Sequence, residues 1–291
     1  MSETTLGEQI IARVENPEHR ARLAAMVPDP RVADAYVRRT LPGGRTEDEV
    51  YRRAITVQKP VLLFGGAGSG KTLSPFAWAA ENGMPVAVIE GHNGFDPETV
   101  WMDREQNPET GMWERTEADI VLVWMYGGVG IADEIGRIPP RQQSSLLPLF
   151  DDRRRITLPT KQSIKQADNV LIVGTTNPPT YAGVQQMDPA LWDRFSPVMK
   201  WDYSDEVERA VLDSAELRKM AKNVRDRGTF DTPMSTRQLV EFESTVQDMG
   251  WSFARAVLIA RYSEYEQLEI KTVLDNHGPR IAEELGVEYD S

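Results

Sequence analysis

The segment GGAGSGKT, at residues 65–72, constrains the fold more than any other part of this chain of 291 residues. It fits the pattern G-x-x-x-x-G-K-[ST], follows an apolar run and precedes a segment with helical periodicity. A strand, a glycine-rich turn and a helix in this order bind phosphate, because inward-pointing backbone N–H groups and the helix N-terminus both attract anions. The chain is therefore predicted to bind a nucleoside triphosphate within an α/β fold.

Five short apolar runs, rich in β-branched residues, predict the central strands of a parallel sheet with helices on both faces. They lie at residues 60–65, 85–91, 129–133, 169–177 and 197–203. Beyond residue 203 the strand pattern stops, and apolar residues recur at helical spacing. The fold class is therefore α/β, a five-stranded parallel sheet flanked by helices, with a small all-α C-terminal domain.

The same patterns predict how the chain is divided. We expect an N-terminal helical segment at 1–45, an α/β core at 46–204 and a helical domain at 205–291. Two insertions interrupt the core, near 92–118 and 151–168, and the second contains ITLP and SIKQ, which predict a β-hairpin. Trp124 lies in an apolar helical run and is predicted to be core, whereas Trp101 and Trp113 suit packing and partner contact equally.

Composition excludes several classes of protein. The absence of cysteine excludes a disulfide scaffold and a thiolate nucleophile, and His19, His92 and His277 form no ligand pair at helical spacing. With 45 acidic against 33 basic residues, the net charge of -12 disfavours nucleic acid as a partner. The N-terminus lacks the pattern of a signal peptide, and no uncharged run is long enough to span a bilayer. We expect a cytoplasmic protein that does not enter a membrane.

Two candidate groups surround the predicted phosphate site. In the loop, Lys71 is expected to contact the β- and γ-phosphates, and the Thr72 hydroxyl to bind Mg²⁺. The segment GVGIADEIGR ends an apolar strand in two acids, Asp133 and Glu134, at the sheet edge where α/β folds bind ligands. Asp133 is predicted to hold Mg²⁺ through its water shell, and Glu134 to orient or deprotonate an attacking water. This pair favours hydrolysis over transfer of phosphate to a small substrate.

Three further polar residues need more context. Asn177 ends the fourth predicted strand, where its amide can bond both a water and the γ-phosphate, although Asn-Pro also favours a plain turn. Arg194 stands in MDPALWDRFSP, and Arg237 follows a helix start that Ser235 or Thr236 can cap. Taken alone, Arg194 is best described as a surface charge, and a plain surface arginine is the alternative interpretation of Arg237.

Taken in order, GGAGSGKT, GIADEIGRIPP, GTTNPP, DPALWDRF and MSTRQL resemble the motifs of AAA+ ATPases. They look most like the MoxR branch, with its CbbQ/NorQ/GvpN and CobS-like members, and the resemblance covers residues 35–245. Two departures stand out. The branch usually has asparagine at Gly136, and no aromatic-apolar-Gly tripeptide of the kind that grips threaded polypeptide follows the second strand.

The resemblance implies a role for each candidate residue. Walker A is Gly65, Gly66, Ala67, Gly68, Ser69, Gly70, Lys71 and Thr72; Walker B is Asp133 and Glu134; sensor 1 is Asn177, the arginine finger is Arg194 and sensor 2 is Arg237. It also implies ATP and Mg²⁺ as ligands, and a ring of six identical chains in which the finger acts on ATP in the adjacent subunit. The ring would remodel a partner protein, often one with a von Willebrand factor A domain, for metal-cofactor insertion or enzyme activation.

Two other interpretations stay open. A P-loop phosphotransferase shares the phosphate loop, but the acidic pair, Asn177 and the helical C-terminal part disfavour it. A motor that acts on nucleic acid also shares the motifs, and the net charge of -12 disfavours that alternative.

Overall fold

The computed structural model describes residues 4–106, 110–181, 183–228, 230 and 233–290. The chain divides into two compact units. The first comprises residues 1–65 and 70–201, and the second comprises residues 66–69 and 202–291. The domain boundaries given above remain predictions.

The N-terminal part of the first unit consists of short helices and one small β-pairing. Its elements are α1 (Leu6–Ala12), α2 (Pro17–Ala25), α3 (Arg31–Asp34), β1 (Thr40–Leu41), β2 (Arg45–Thr46) and α4 (Glu47–Val57). The side chains of Thr5, Asn16 and Thr46 accept backbone N–H groups at the starts of α1, α2 and α4. Thr46 and Glu49 form a capping box, which satisfies two backbone donors at the start of α4.

The rest of the first unit is an α/β core with two hairpins. Its elements are β3 (Val61–Phe64), α5 (Leu73–Glu81), β4 (Val86–Glu90), β5 (Met102–Gln106), β6 (Trp113–Glu117), α6 (Asp119–Tyr126), β7 (Gly128–Asp133), α7 (Pro140–Gln143), α8 (Leu147–Phe150), β8 (Arg155–Thr157), β9 (Ser163–Lys165), β10 (Val170–Thr176), α9 (Pro189–Trp192) and β11 (Val198–Lys200). Short 3₁₀ turns lie at Pro42–Gly44, Pro97–Val100, Ile135–Arg137 and Ser144–Leu146.

Five parallel strands form the central sheet in the order β11-β3-β10-β7-β4, which confirms the predicted sheet. The inner strands β3, β7 and β10 are buried almost throughout, as expected where helices cover both faces of a sheet, whereas the edge strands β4 and β11 carry the exposed Glu90 and Lys200. In β3, for example, Val61 and Leu63 pack in one apolar cluster with Trp78, whereas Leu62 packs in the opposite cluster with Trp124. The fully buried Trp124 is core, as predicted.

Both insertions contain an antiparallel hairpin. The predicted one pairs β8 with β9, with Ile156 opposite Ile164. The insertion near 92–118 forms a second hairpin, β5 with β6, in which Gln106 lies opposite Trp113. Trp101 is partly buried against the core, but Trp113 is 70% exposed, so the two tryptophans that the sequence treated alike have different environments.

Helices build the second unit, which confirms the predicted all-α C-terminal part. They are α10 (Asp205–Val211), α11 (Ala215–Arg227), α12 (Thr236–Met249), α13 (Trp251–Ile259) and α14 (Glu264–Leu285). Their apolar faces meet around Leu217, Leu239, Trp251 and Leu274, all with no exposed surface. Among the helices that the structure describes, none combines the length and apolarity that crossing a bilayer requires.

Candidate functional site

The phosphate loop joins β3 to α5, and its glycines are required by its geometry. Gly68 and Gly70 have φ values of +65° and +87°, in the left-handed region that other residues rarely adopt. Gly65 packs so closely against the backbone of Trp201 that a Cβ on residue 65 would lie 2.0 Å from the Trp201 carbonyl oxygen. The G-x-x-x-x-G spacing therefore reflects backbone conformation as well as ligand chemistry.

Lys71 and Asn177 meet although 106 positions separate them. The ammonium Nζ of Lys71 donates to the carbonyl oxygen of Gly65 at 3.0 Å and to Asn177 Oδ1 at 2.8 Å. Strand β10 lies beside β3, with Thr176 opposite Phe64, so Asn177 emerges at the edge where the loop begins. Lys71 is only 7% exposed, and a buried ammonium needs such oxygen partners to remain charged.

Thr72 and Asp133 meet at the same edge. The Thr72 hydroxyl donates to Asp133 Oδ1 at 2.7 Å, and the Thr175 hydroxyl donates to the same oxygen at 2.5 Å. Strands β7 and β10 are paired, which brings Asp133 and Thr175 together. A hydroxyl and a carboxylate are hard oxygen donors, and Mg²⁺ binds proteins through one or two such groups. The side chains present therefore fit the predicted metal.

Glu134 adopts an uncommon backbone conformation. Its φ of +51° is left-handed, and its backbone N–H donates to Thr175 Oγ1 at 3.0 Å. Such a conformation costs free energy in a residue other than glycine, and residues of this kind concentrate at functional sites. The carboxylate pairs with Arg137 Nε at 2.9 Å and remains 38% exposed, so it is open to solvent beside Asp133.

The glycine at 136 has a steric explanation. A Cβ at this position would lie 2.6 Å from Thr176 Oγ1 and 2.9 Å from Val184 Cγ1. The backbone carbonyl of Gly136 also accepts the N–H of Gln185 at 2.7 Å, which keeps that segment close. The departure from the MoxR pattern therefore follows from local packing.

Arg194 is held by aromatic residues on both sides of it. Pro189 begins α9, and the side chain of Asp188 caps this helix. The Trp192 ring meets Phe64 edge to face, with centroids 5.6 Å apart, and Phe195 lies 4.6 Å from Phe150.

The guanidinium of Arg194 is directed toward its own segment. Its Nη1 donates to the Ala190 carbonyl oxygen at 2.5 Å, and its Nη2 lies 3.8 Å from Asp151 Oδ2. The side chain is 31% exposed. In the described part of the chain, its polar contacts do not include Lys71 or Asp133, so the structure does not bring Arg194 to the other candidates.

Within the second unit, Arg237 lies beside the phosphate loop. Ser235 is the N-cap of α12, one of the two predicted alternatives, and accepts the N–H of Gln238 at 3.2 Å. A Cβ on Gly68 would lie 2.7 Å from Ser235 Oγ and 3.4 Å from Arg237 Cβ. The loop and the exposed Arg237 are therefore neighbours.

The structure contains a buried polar cluster, around Glu47, that was not predicted from the sequence. The carboxylate of Glu47, fully buried, accepts the Tyr36 hydroxyl at 3.0 Å, the Ser74 hydroxyl at 2.6 Å and the Arg39 backbone N–H at 2.8 Å. A Cβ on Gly70 would lie 3.8 Å from Arg39 Nη2, so the cluster lies beside the loop. Burial raises the pKa of the Tyr36 phenol and lowers the pKa of Arg39. In the sequence, Glu47 looks like any acid in the first turn of a helix.

The chain is similar in sequence to several known proteins. Residues 60–195 match the AAA domain family of the dynein-related subfamily. The chain is 30% identical to midasin of Giardia intestinalis over 55% of this chain and 3% of midasin. It is 26% identical to the denitrification regulatory protein NirQ of Stutzerimonas stutzeri, over 68% of this chain and 73% of NirQ.

A further relative is the gas vesicle ATPase GvpN of Ancylobacter aquaticus, 28% identical over 72% of this chain and 62% of GvpN. The chain thus spans a small fraction of midasin and less than two thirds of GvpN. Residues 60–195 thus resemble an AAA domain, and NirQ and GvpN are AAA+ proteins of the MoxR family. These similarities agree with the resemblance drawn from the motifs of the chain.

Proposed function

We propose that this chain hydrolyses Mg-ATP in a homo-oligomeric ring of six subunits and uses the energy to remodel a partner protein. The observation that carries the proposal is the meeting of Lys71 with Asn177 and of Thr72 with Asp133 at one edge of the sheet. These four side chains come from three separate segments, and a plain turn or a surface charge does not require them to converge.

The proposed chemistry assigns one task to each group. The backbone N–H groups of residues 65–72 and the Lys71 ammonium bind the phosphates, and Asn177 orients the γ-phosphate and the water. Thr72 and Asp133 would hold Mg²⁺, which would neutralise charge on the phosphate oxygens. Glu134 accepts the proton of the attacking water.

We assign Arg194 to the ATP of the neighbouring subunit. Its segment is anchored by Trp192 and Phe195, which supports a fixed position for the guanidinium. Its polar contacts, with Ala190 and Asp151, leave it available at 31% exposure. Arginine keeps its charge and presents a planar fork of donors, which suits a phosphate in the transition state. Arg237 completes the set as the sensor beside Gly68, in its own subunit or the next.

We propose that the partner is a protein, and that it contains a von Willebrand factor A domain. Its remodelling would serve metal-cofactor insertion or enzyme activation. The β5–β6 hairpin supports a protein partner because Met112 and Trp113 are 68% and 70% exposed, and exposed tryptophan is typical of protein contacts. The net charge of -12 supports a protein over nucleic acid. Stimulation of ATPase activity by DNA would instead favour the nucleic-acid motor. A cytoplasmic location remains part of the proposal.

Turnover by Glu134→Gln tests the hydrolytic site. The variant should bind ATP with unchanged affinity and turn it over about 10²–10⁴-fold more slowly, because the general base is lost. The control is Glu90→Gln, since Glu90 lies opposite Asp133 on the neighbouring strand, is exposed and has no proposed role. Lys71→Ala should lose ATP binding itself. Full turnover by Glu134→Gln, measured by phosphate release, would remove Glu134 from its role.

A further inference from the structure

Tyr203 is attached to the phosphate loop. Its hydroxyl donates to the carbonyl oxygen of Ala67 at 2.9 Å. The ring packs so closely on Gly66 that a Cβ there would lie 2.8 Å from the Tyr203 hydroxyl oxygen. Both contacts lie within the second unit, which contains residues 66–69. A tyrosine outside the recognised motifs therefore restrains the backbone of the loop.

Arg225 holds the Tyr203 ring from the other side. The guanidinium carbon of Arg225 lies 3.9 Å from the centroid of that ring. Its Nη1 and Nη2 donate to the Glu208 carboxylate at 3.1 and 2.8 Å, and its Nε donates to the Met234 carbonyl oxygen at 2.7 Å. The Arg225 and Glu208 side chains are only 13% and 3% exposed. This geometry fixes the guanidinium plane, since all three of its nitrogens have partners.

Glu208 extends the connection to the start of α12. The Thr236 hydroxyl donates to Glu208 Oε1 at 2.7 Å, and Thr236 is the first residue of the helix. Thr236 is followed by Arg237 and preceded by Ser235, which lies against Gly68. The contacts thus run from the loop through Tyr203 and Arg225 to the residue beside Arg237.

We propose that Tyr203 and Arg225 are positioning residues, which set the spacing between the phosphate loop and Arg237. The inference rests on the sensor role proposed for Arg237. Tyr203 fixes the carbonyl of Ala67, and Arg225 with Glu208 fixes the first turn of α12, so a change in either contact alters where the guanidinium of Arg237 stands relative to the loop. A purely structural ion pair would stabilise the helical unit without affecting ATP.

The experiment uses Tyr203→Phe, which removes the bond to Ala67 and keeps the ring against Arg225. The KM for ATP should rise about three- to tenfold, the range that one neutral hydrogen bond contributes, and kcat should fall. Arg225→Lys keeps a positive charge beside Glu208 but loses the paired donors and the stacked plane, and should lower kcat. The control is Tyr262→Phe, in the same unit, because the buried Tyr262 hydroxyl has no hydrogen-bond partner among the described residues.

Each variant is then combined with Arg237→Ala. If the two residues act by positioning Arg237, then in that background Tyr203→Phe and Arg225→Lys should change kcat by less than about twofold. Full additivity of the kcat losses, or a Tyr203→Phe protein that matches Tyr262→Phe in KM and kcat, would overturn the positioning role while Arg237 kept its own. Normal turnover by Arg237→Ala alone would instead remove the proposed sensor, and the positioning proposal with it.

Discussion

Replacing Gly174 by alanine should slow ATP turnover strongly while it destabilises the fold only moderately. Gly174 lies in the central strand β10, where a Cβ would lie 2.8 Å from Phe195 Cε1 and Cζ and from Ile135 Cδ1. Phe195 directly follows Arg194, and Ile135 directly follows Glu134. The added methyl group must therefore displace the neighbours of two residues to which we assign roles in catalysis.

The expected magnitudes follow from overpacking. One extra methyl group in a well-packed core costs about 1–3 kcal/mol in the free energy of unfolding. At about 2–4 °C per kcal/mol for a domain of 150–250 residues, the melting temperature should fall by about 2–12 °C. A shift of about 1 Å in a reacting group can cost about 100-fold in rate, so we expect kcat to fall about 10- to 100-fold. The KM for ATP should stay within about twofold, since Gly174 does not contact the loop.

Gly130→Ala provides the matched control. In the adjacent strand β7, a Cβ on Gly130 would lie 2.6 Å from Ile120 Cδ1 and 2.8 Å from Ile172 Cδ1, so it overpacks the core to a similar degree. Neither neighbour adjoins a residue with a proposed catalytic role. Calorimetry and steady-state ATPase assays on both variants should give similar melting temperatures and a loss of kcat for Gly174→Ala alone. Equal losses of kcat would refute the reasoning, because the activity would then follow stability.

Two further substitutions test the site residues. Asn177→Asp places a second charge 2.8 Å from Lys71 Nζ, so the ammonium should stay paired within the protein and ATP affinity should fall; unchanged affinity in a fluorescent-nucleotide titration would argue against this contact. Gly136→Asn introduces the residue usual in the MoxR branch at a position where a Cβ would lie 2.6 Å from Thr176 Oγ1 and 2.9 Å from Val184 Cγ1. It should lower the urea midpoint by a destabilisation of about 1–3 kcal/mol, and an unchanged midpoint would show that the segment gives way.

The sheet could be predicted from sequence because its inner strands are buried on both faces. The run at residues 170–176 contains no charged residue and is rich in β-branched residues, which is typical of a strand in a parallel sheet covered on both faces. The order of the strands, with β10 between β3 and β7, depends on packing between segments that are distant in sequence. It therefore cannot be predicted from any one segment alone. The phosphate loop and the acidic pair could also be predicted from sequence, because phosphate binding requires particular residues at fixed spacing within one short segment.

The β5–β6 hairpin was not predicted because its strands are mostly polar and exposed. Met102 is buried, but Trp113 and Arg115 on the paired strand are exposed, so the alternation that identifies a half-covered strand is weak.

Buried charges were the other features missed. Glu47 and Glu208 both lie in the first turn of a helix, where an exposed acid is ordinary. Their burial follows from partners far along the chain, such as Ser74 for Glu47 and Arg225 for Glu208. A sequence gives no sign of such partners until the fold brings them together.

The proposal that each active site is shared between two subunits is tested most directly by mixing two inactive proteins. Lys71→Ala lacks the pocket and keeps the arginine, whereas Arg194→Ala lacks the arginine and keeps the pocket, and each alone should be inactive. In equimolar rings verified as mixed by native mass spectrometry, about a quarter of the wild-type ATPase activity should return, because one interface in four joins an intact pocket to an intact neighbouring arginine. Absence of any recovery in such rings would contradict the action of Arg194 across the interface.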